Sequence, residues 1–131
     1  MAKSIPCPCG SSLPLASCCG RYIHGGQTAP DAEQLMRSRY SAFATDQRDY
    51  LLRSWHPDTR PPNIEHQPGE PVAKWIGLKI VSHRTIDDTH SEVEFIARYR
   101  IGGRASRLHE TSRFIREGDH WYYVDGTLHE S

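Results

Sequence analysis

No cysteine follows position 19, no apolar run approaches the length of a membrane span, and neither sign of charge is in excess. Each absence narrows what the 131-residue chain can be. A spanning helix needs ~18 to 20 consecutive apolar residues, and Met1–Pro6 leads into no signal-peptide core. The expectation is therefore a cytoplasmic protein with no membrane partner. Lys plus Arg and Asp plus Glu both number 16, for a formal net charge of +0, so no global field draws in nucleic acid or an anionic surface. The 8 histidines hold the chain's reserve of charge, because imidazole titrates near ~6.5. A nucleophile elbow, a phosphate-binding loop and a dinucleotide fingerprint are all missing, and Gly102–Gly103 reads as a hairpin turn. The length suits one domain with a real core plus a small appendage.

What the chain does have is all of its sulfur-bearing thiols in one short stretch, CPCGSSLPLASCCG, holding Cys7, Cys9, Cys18 and Cys19. Adjacent Cys18 and Cys19 could bridge only through a strained ring, and a Cys7–Cys9 bridge would close too small a loop to restrict the unfolded chain much. Cross-pairs, reduced thiols and a redox site stay open as readings. Four thiolates around one tetrahedral zinc fit better, and such a site leaves no position for a catalytic water. Gly10 lets the backbone take a left-handed turn after the first pair, and Gly20 lets it leave sharply after the second. SSLPLAS is long enough for one helical turn that carries Cys18 and Cys19 back. Pro6 and Pro8 stiffen the first segment. The spacing C-x-C-x8-C-C matches the general zinc template loosely.

The same stretch resembles the SEC-C motif, the small zinc-holding module named for the carboxyl tail of SecA. That resemblance implies that Cys7, Cys9, Cys18 and Cys19 all ligate a structural Zn2+. SEC-C modules usually carry lysines between the two pairs. Here Leu13, Pro14 and Leu15 stand there instead, and the two leucines offer a face that could pack on the protein's own main domain.

Gly25–Gly26 and Pro30 read as a linker or turn. A helix is expected from Pro30 or Asp31, with Asp31 and Glu33 at its positive end and Ala32, Leu35, Met36, Tyr40 and Phe43 near helical spacing. Arg37, Arg39 and Arg48 read as solvated or paired cations rather than phosphate ligands, although Arg39 lies close to the apolar stripe. A shorter helix fits DQRDYLLRSW and must end at the following prolines. Asn63–Pro71 reads as irregular. The period then changes. WIGLKIVSH, SEVEFIARYRI, SRLHETSRFIRE and HWYYVDG alternate or run apolar over strand lengths, with turns at Asp87–Asp88, Gly102–Gly103 and Gly118–Asp119. Helices first and strands after point to an α+β domain whose antiparallel sheet packs on the helices. Alternation puts Val93, Phe95, Ala97, Tyr99 and Ile101 inside, and His109 outside. It also places Glu110 and Ser112 among the apolar neighbours Leu108 and Phe114. A carboxylate there must be hydrogen-bonded, paired with Arg39 or a histidine, or protonated.

Taken with the cysteine module, the runs LMRSRYSAF, SWHPDTRP, WIGLKIV, VEFIARY, LHETSRF and WYYVDG resemble the YchJ-like family. The resemblance implies a SEC-C-like zinc-binding motif over residues 1–24 and a nuclear transport factor two-like α+β domain over residues 28–131. The fold it implies is a cone, a curved antiparallel sheet wrapped around helices with a pocket at one end, preceded by a small zinc knuckle.

Fold alone does not choose a function. One reading is an interaction or accessory module: the knuckle as a docking surface for a protein partner, and the cone as a small-ligand or dimerisation domain, with a homodimer as one form it allows. Arg21, Tyr22 and His24 give the knuckle a modest basic and aromatic edge, which the neutral total weighs against using for nucleic acid. The alternative is an acid/base enzyme of isomerase or hydrolase type. In it Glu110 or Asp125 is the general base, His56 or His109 the acid partner, and Tyr40 or Arg39 an oxyanion donor. Glu110 in a pocket without an arginine favours the enzyme; aromatic walls favour the binding module.

Overall fold

A computed structural model of the chain describes residues 6–62 and 74–129, so the irregular stretch expected at Asn63–Pro71 lies outside the described residues. The elements run in the expected order. A 3-10 turn (Leu15–Ser17) and helices α1 (Gly20–Ile23), α2 (Ala32–Ala44) and α3 (Arg48–Arg53) precede strands β1 (Lys74–Thr85), β2 (His90–Ile101), β3 (Arg104–Glu117) and β4 (His120–Leu128). The strands form one antiparallel sheet in the order β1-β2-β3-β4, a meander in which every neighbour in sequence is a neighbour in space. The class is α+β.

Helix α2 forms where its local chemistry says it should. Asp31 is the N-cap, its carboxylate accepting from the Gln34 amide at 2.8 Å, which satisfies one of the donors orphaned at a helix start. Ala, Leu, Met, Gln, Glu and Arg, all good helix formers, supply most of its length. The helix stops at Thr45, and Asp46 then takes a left-handed conformation, φ 58°, which aspartate tolerates better than most residues. Arg37 pairs with Glu33 one turn back at 3.1 Å, and Arg48 with Asp46 at 2.9 Å, as solvated or paired cations should.

The inner face of the sheet follows the alternation of the sequence. Val93, Phe95, Ala97, Ser112 and Phe114 are buried, and Tyr99 and Ile101 toward the strand end are half-buried. Val93, Phe95, Ala97 and Phe114 share one continuous core with Leu35, Met36 and Tyr40 of α2 and Leu51 of α3. Register shifts at Trp75/Gly77 and Ile80/Ser82 in β1 and at Arg113/Phe114 between β3 and β4 interrupt the ladder. Bulges of this kind bend and twist a strand, which is how the sheet curves over the helices. After α3 the chain is pinned to β4: the Tyr123 amide donates to the Ser54 carbonyl at 2.9 Å, and the His56 amide to the Tyr123 carbonyl at 2.7 Å. Trp55 thereby forms an isolated parallel bridge with Tyr123.

Gly25–Gly26 and Pro30 lie outside any helix or strand, as a linker or turn should. Just before them, Tyr22 and Ile23 are buried in the core cluster and belong to α1, because two large side chains just after the cysteines gain from burial. Gly20 also has another reason than a sharp exit. A Cβ there would sit 2.7 Å from the Leu15 carbonyl oxygen, so close backbone approach requires the glycine.

Phe114 is 1% exposed and lies edge-on to Tyr123 at 5.9 Å. Phe114→Ala should lower the unfolding free energy by about 3–5 kcal/mol through lost transfer energy and the cavity left behind. Ile86→Ala, at a side chain 49% exposed, should change it by less than about 0.5 kcal/mol. Urea denaturation of both variants checks the contrast.

Candidate metal centre and ligand pocket

The first pair of cysteines is presented by a tight turn. The Cys7 amide donates to the Leu13 carbonyl at 2.9 Å, the Gly10 amide closes onto the Cys7 carbonyl at 3.2 Å, and Gly10 has the left-handed conformation expected of it, φ 83°. The 3-10 turn at Leu15–Ser17 then brings the second pair back, with the Cys18 amide donating to the Leu15 carbonyl at 3.0 Å. The result is four buried thiols, none bonded to another, whose sulfur atoms all lie within 4.8 Å of one another.

The donor set fits a metal ion. Cys9 Sγ and Cys18 Sγ are 3.7 Å apart, close to the ~3.8 Å edge of a sulfur tetrahedron built on bonds of ~2.3 Å. Hydroxyls support the sulfurs: Ser11 donates to Cys18 Sγ at 3.1 Å, and Ser41 of α2 touches Cys7 Sγ at 3.4 Å. As bare thiols the group is frustrated. Hydrogen bonds from Cys19 and then Cys9 pull the Cys7 thiol well below its ordinary range, while hydrogen bonding to Cys7 and Cys9, with burial added, pushes Cys19 well above it. Neighbouring thiolates repel, so without a cation one can ionise only at the expense of the others. Four buried cysteines in this arrangement could hold a metal ion.

The knuckle is seated on the main body. Arg37 of α2 donates to the Cys9 carbonyl at 3.2 Å, and Arg53 of α3 donates to the Ile23 carbonyl at 2.6 Å. Leu15 packs against the core, whereas Leu13 is 49% exposed, so half of the leucine face turns inward. Of the basic and aromatic edge, Tyr22 is buried, with the half-buried Arg21 guanidinium 4.9 Å over its ring.

A second centre lies between α2 and the sheet. A cavity of about 290 Å³ is walled by Phe43, Trp55, Trp75, Phe95 and Leu108, and Arg39, Tyr40, Glu110, Ser112 and Tyr123 also reach it. Arg39 is 3% exposed. Its Nη1 donates to the Leu51 carbonyl at 2.8 Å and to Ser54 Oγ at 2.7 Å, and its guanidinium lies 4.6 Å from the Tyr123 ring centre and 5.3 Å from that of Trp55. Burial pulls its pKa down to about 10, which leaves it charged at neutral pH. Glu110 accepts a short hydrogen bond from Ser112 Oγ. Burial first, then the Glu110 charge, pushes the Tyr123 phenol up to about 12, and burial likewise raises Tyr40. Both phenols therefore keep their protons and serve as donors.

Among the residues singled out in the sequence, Arg39, Tyr40 and Glu110 share this cavity; His56 and Asp125 do not. His56 is buried beyond Trp55, where its Nδ1 accepts from the Asp58 amide at 3.1 Å and its Nε2 lies 3.2 Å from Glu117. The ring braces the turn after α3 through the Asp58 amide. Asp125 is exposed on the outer face, paired with Arg113 at 2.5 Å. His109, expected in solvent, is half-buried there instead. Its Nε2 lies 2.6 Å from Glu94, and its ring stacks on His129 at 4.3 Å. His129 Nε2 is in turn 2.7 Å from Thr111 Oγ1. The Glu94, His109 and His129 ligand atoms also lie within 4.8 Å of one another, but lone pairs on near-parallel rings, 23° apart, do not converge on one ion.

Sequence reasoning missed Gly126. It sits opposite Ser112 in the β3–β4 ladder, and a Cβ there would lie 2.5 Å from Glu110 Oε2 and 2.6 Å from its carboxyl carbon. The glycine makes room for the carboxylate. A glycine inside a strand is a general sign of close approach; in the sequence, Asp125–Gly126 looks like a turn.

The family model for the middle, NTF2-like domain of YchJ matches residues 31–126. A UPF0225 protein of Bordetella pertussis is 57% identical over 125 residues, covering 93% of this chain and 92% of that one. A UPF0225 protein of Polaromonas naphthalenivorans is 52% identical over 133 residues, covering 92% and 96% respectively. Among solved structures, a SEC-C motif containing protein from Rhodopseudomonas palustris superposes with a TM-score of 0.82 at 30% identity, over 96% of this chain and 100% of that one. Another from Psychrobacter arcticus gives 0.74 at 26% identity, over 98% and 84%.

Arg39→Met should leave the Leu51 carbonyl without its side-chain donor, weaken the tie to Ser54, and cost about 1–3 kcal/mol of stability. Arg39→Lys, which keeps a donor and a charge but not the fork, should recover part of that loss. Thermal or urea unfolding of the two variants measures the difference.

Proposed function

Because the chain belongs to the YchJ-like family, with UPF0225 proteins as its near relatives, we propose that it is a zinc-binding accessory protein that works by binding rather than by catalysis. Cys7, Cys9, Cys18 and Cys19 hold a structural Zn2+ in the knuckle, and the cavity under α2 receives a small ligand. The observation that carries the metal half is the buried convergence of four sulfur atoms with hydroxyl support. Zinc suits such a site because it accepts four thiolates in a tetrahedron and has no redox chemistry of its own. When bound, it supplies the positive charge that lets all four sulfurs ionise together. Reduced ligand thiols accord with a reducing compartment such as the cytoplasm.

The binding reading of the cavity is supported by what surrounds Glu110. The carboxylate is already engaged by Ser112 and shares its chamber with Arg39, and the walls are aromatic. The proposed acid partners His56 and His109 lie elsewhere, and no histidine among the described residues lines the cavity. Acid/base chemistry at Glu110 would therefore lack a nearby imidazole to return the proton.

Metal analysis of the protein purified under reducing conditions should give one zinc per chain, bound through sulfur by X-ray absorption. Cys18→Ser should reduce that content sharply and lower thermal stability, since the knuckle shares the core with α2. Zinc should be retained at neutral pH and lost on acidification, because protons compete for the ligand sulfurs. Metal-free wild type, or unchanged zinc in the Cys18 variant, would overturn the ligand set.

A further inference from the structure

We infer that the cavity under α2 selects a neutral, planar, largely apolar molecule whose edge carries a hydrogen-bond acceptor beside a donor, of the amide or lactam class. The inference rests on reading that cavity as a ligand site, and it adds which ligand chemistry the site takes.

Size sets the first limit. At about 290 Å³ the space lies at the lower end of small-molecule pockets, which begin near ~300 Å³, and it is too small for a folded partner. Shape sets the second. Trp75 meets Tyr40 edge-on at 5.8 Å and tilts against Phe43 at 5.9 Å, so one side of the chamber is built from flat rings. Aromatic walls favour a flat guest that can stack or meet them edge-on.

The polar groups then specify its edge. Arg39 spends Nη1 on Leu51 and Ser54; its Nε and Nη2 have no hydrogen-bond partner among the described residues, and the side chain is nearly fully buried. Donors of a charged group that border a cavity favour an acceptor placed there. Glu110 Oε2 accepts from Ser112, while Oε1 has no donor among the described residues. A guest that accepts from Arg39 and donates to Glu110 satisfies both.

Charge decides between neutral and ionic guests. The chamber holds one fixed cation and one fixed anion, so an anionic guest meets Glu110 and a cationic guest meets Arg39. A zwitterion would bring two more charges out of water into apolar walls, which costs far more than burying an amide. A neutral amide edge carries the required donor and acceptor without either cost.

The test uses the full zinc-loaded chain and three bicyclic probes of similar size. Carbostyril is the neutral lactam with adjacent C=O and N–H, quinoline offers an acceptor without the donor, and quinaldate is the carboxylate. Isothermal titration should give carbostyril a dissociation constant at least about tenfold below those of both others, because a site with unpaired polar groups discriminates strongly against guests that leave them unpaired. Gly126→Ala, which displaces the Glu110 carboxylate while leaving it in the chain, should erase most of that preference with the unfolding temperature little changed. Glu110→Gln, which removes the negative charge, should tighten quinaldate relative to carbostyril, a change that a purely structural role for Glu110 does not produce. Quinaldate binding tightest to the wild type, or three equal affinities, would overturn the inference and leave the pocket reading standing. Binding of no probe up to about 1 mM would overturn both.

Discussion

Helix α2 is covered on two sides, and that constraint organises the molecule. Toward the sheet it sends Leu35, Met36, Arg39 and Tyr40; toward the knuckle it sends Arg37 and Ser41, which meet Cys9 and Cys7. Polar side chains on such a helix have to be satisfied from within. Ser38 pairs with the Tyr50 hydroxyl at 2.6 Å, and Arg39 anchors the end of α3. Both bonds tie α3 to the same thirteen-residue rod. The metal centre and the cavity are therefore positioned by opposite faces of one helix, and neither is an independent graft.

The electrostatics of the cavity follow from the same arrangement. A guanidinium under aromatic rings is attracted to their faces, which partly replaces the water it has lost, and the carbonyl of Leu51 and hydroxyl of Ser54 do more of the same. Glu110 is held on the facing strand by Ser112 and accommodated by the missing side chain at Gly126. Opposite charges in one chamber need not touch to steady each other; burial, and after it the Glu110 charge, keeps the Tyr123 phenol protonated against the opposing pull of Arg39.

Much of this was legible in the sequence because the signals were local or periodic. The cysteine spacing, the Asp31 cap, the alternation through β2 and β3, and the three hairpin turns each depend on residues near one another in the chain. The conflict of Glu110 among apolar neighbours was visible for the same reason. What escaped was set by contacts between distant segments. His56 looks like an acid until its ring is seen facing Asp58 and Glu117, and Gly126 looks like a turn until β3 lies beside it. Arg39 stood near the apolar stripe, yet its partners come from α3 and β4, which no helical periodicity reports.

The irregular register of β1 also affects how the molecule behaves among its own copies. Among the described residues that strand ends the sheet, and it displays Ile76 and Val81 at 44% exposure each, a combination that in a flat, regular ribbon invites a neighbouring chain to add another strand. The breaks at Trp75/Gly77 and Ile80/Ser82 fall next to those two side chains. They leave no long stretch of evenly spaced backbone donors and acceptors for an intruder to match, so the same irregularities that curve the sheet also protect it from aggregation along its open border.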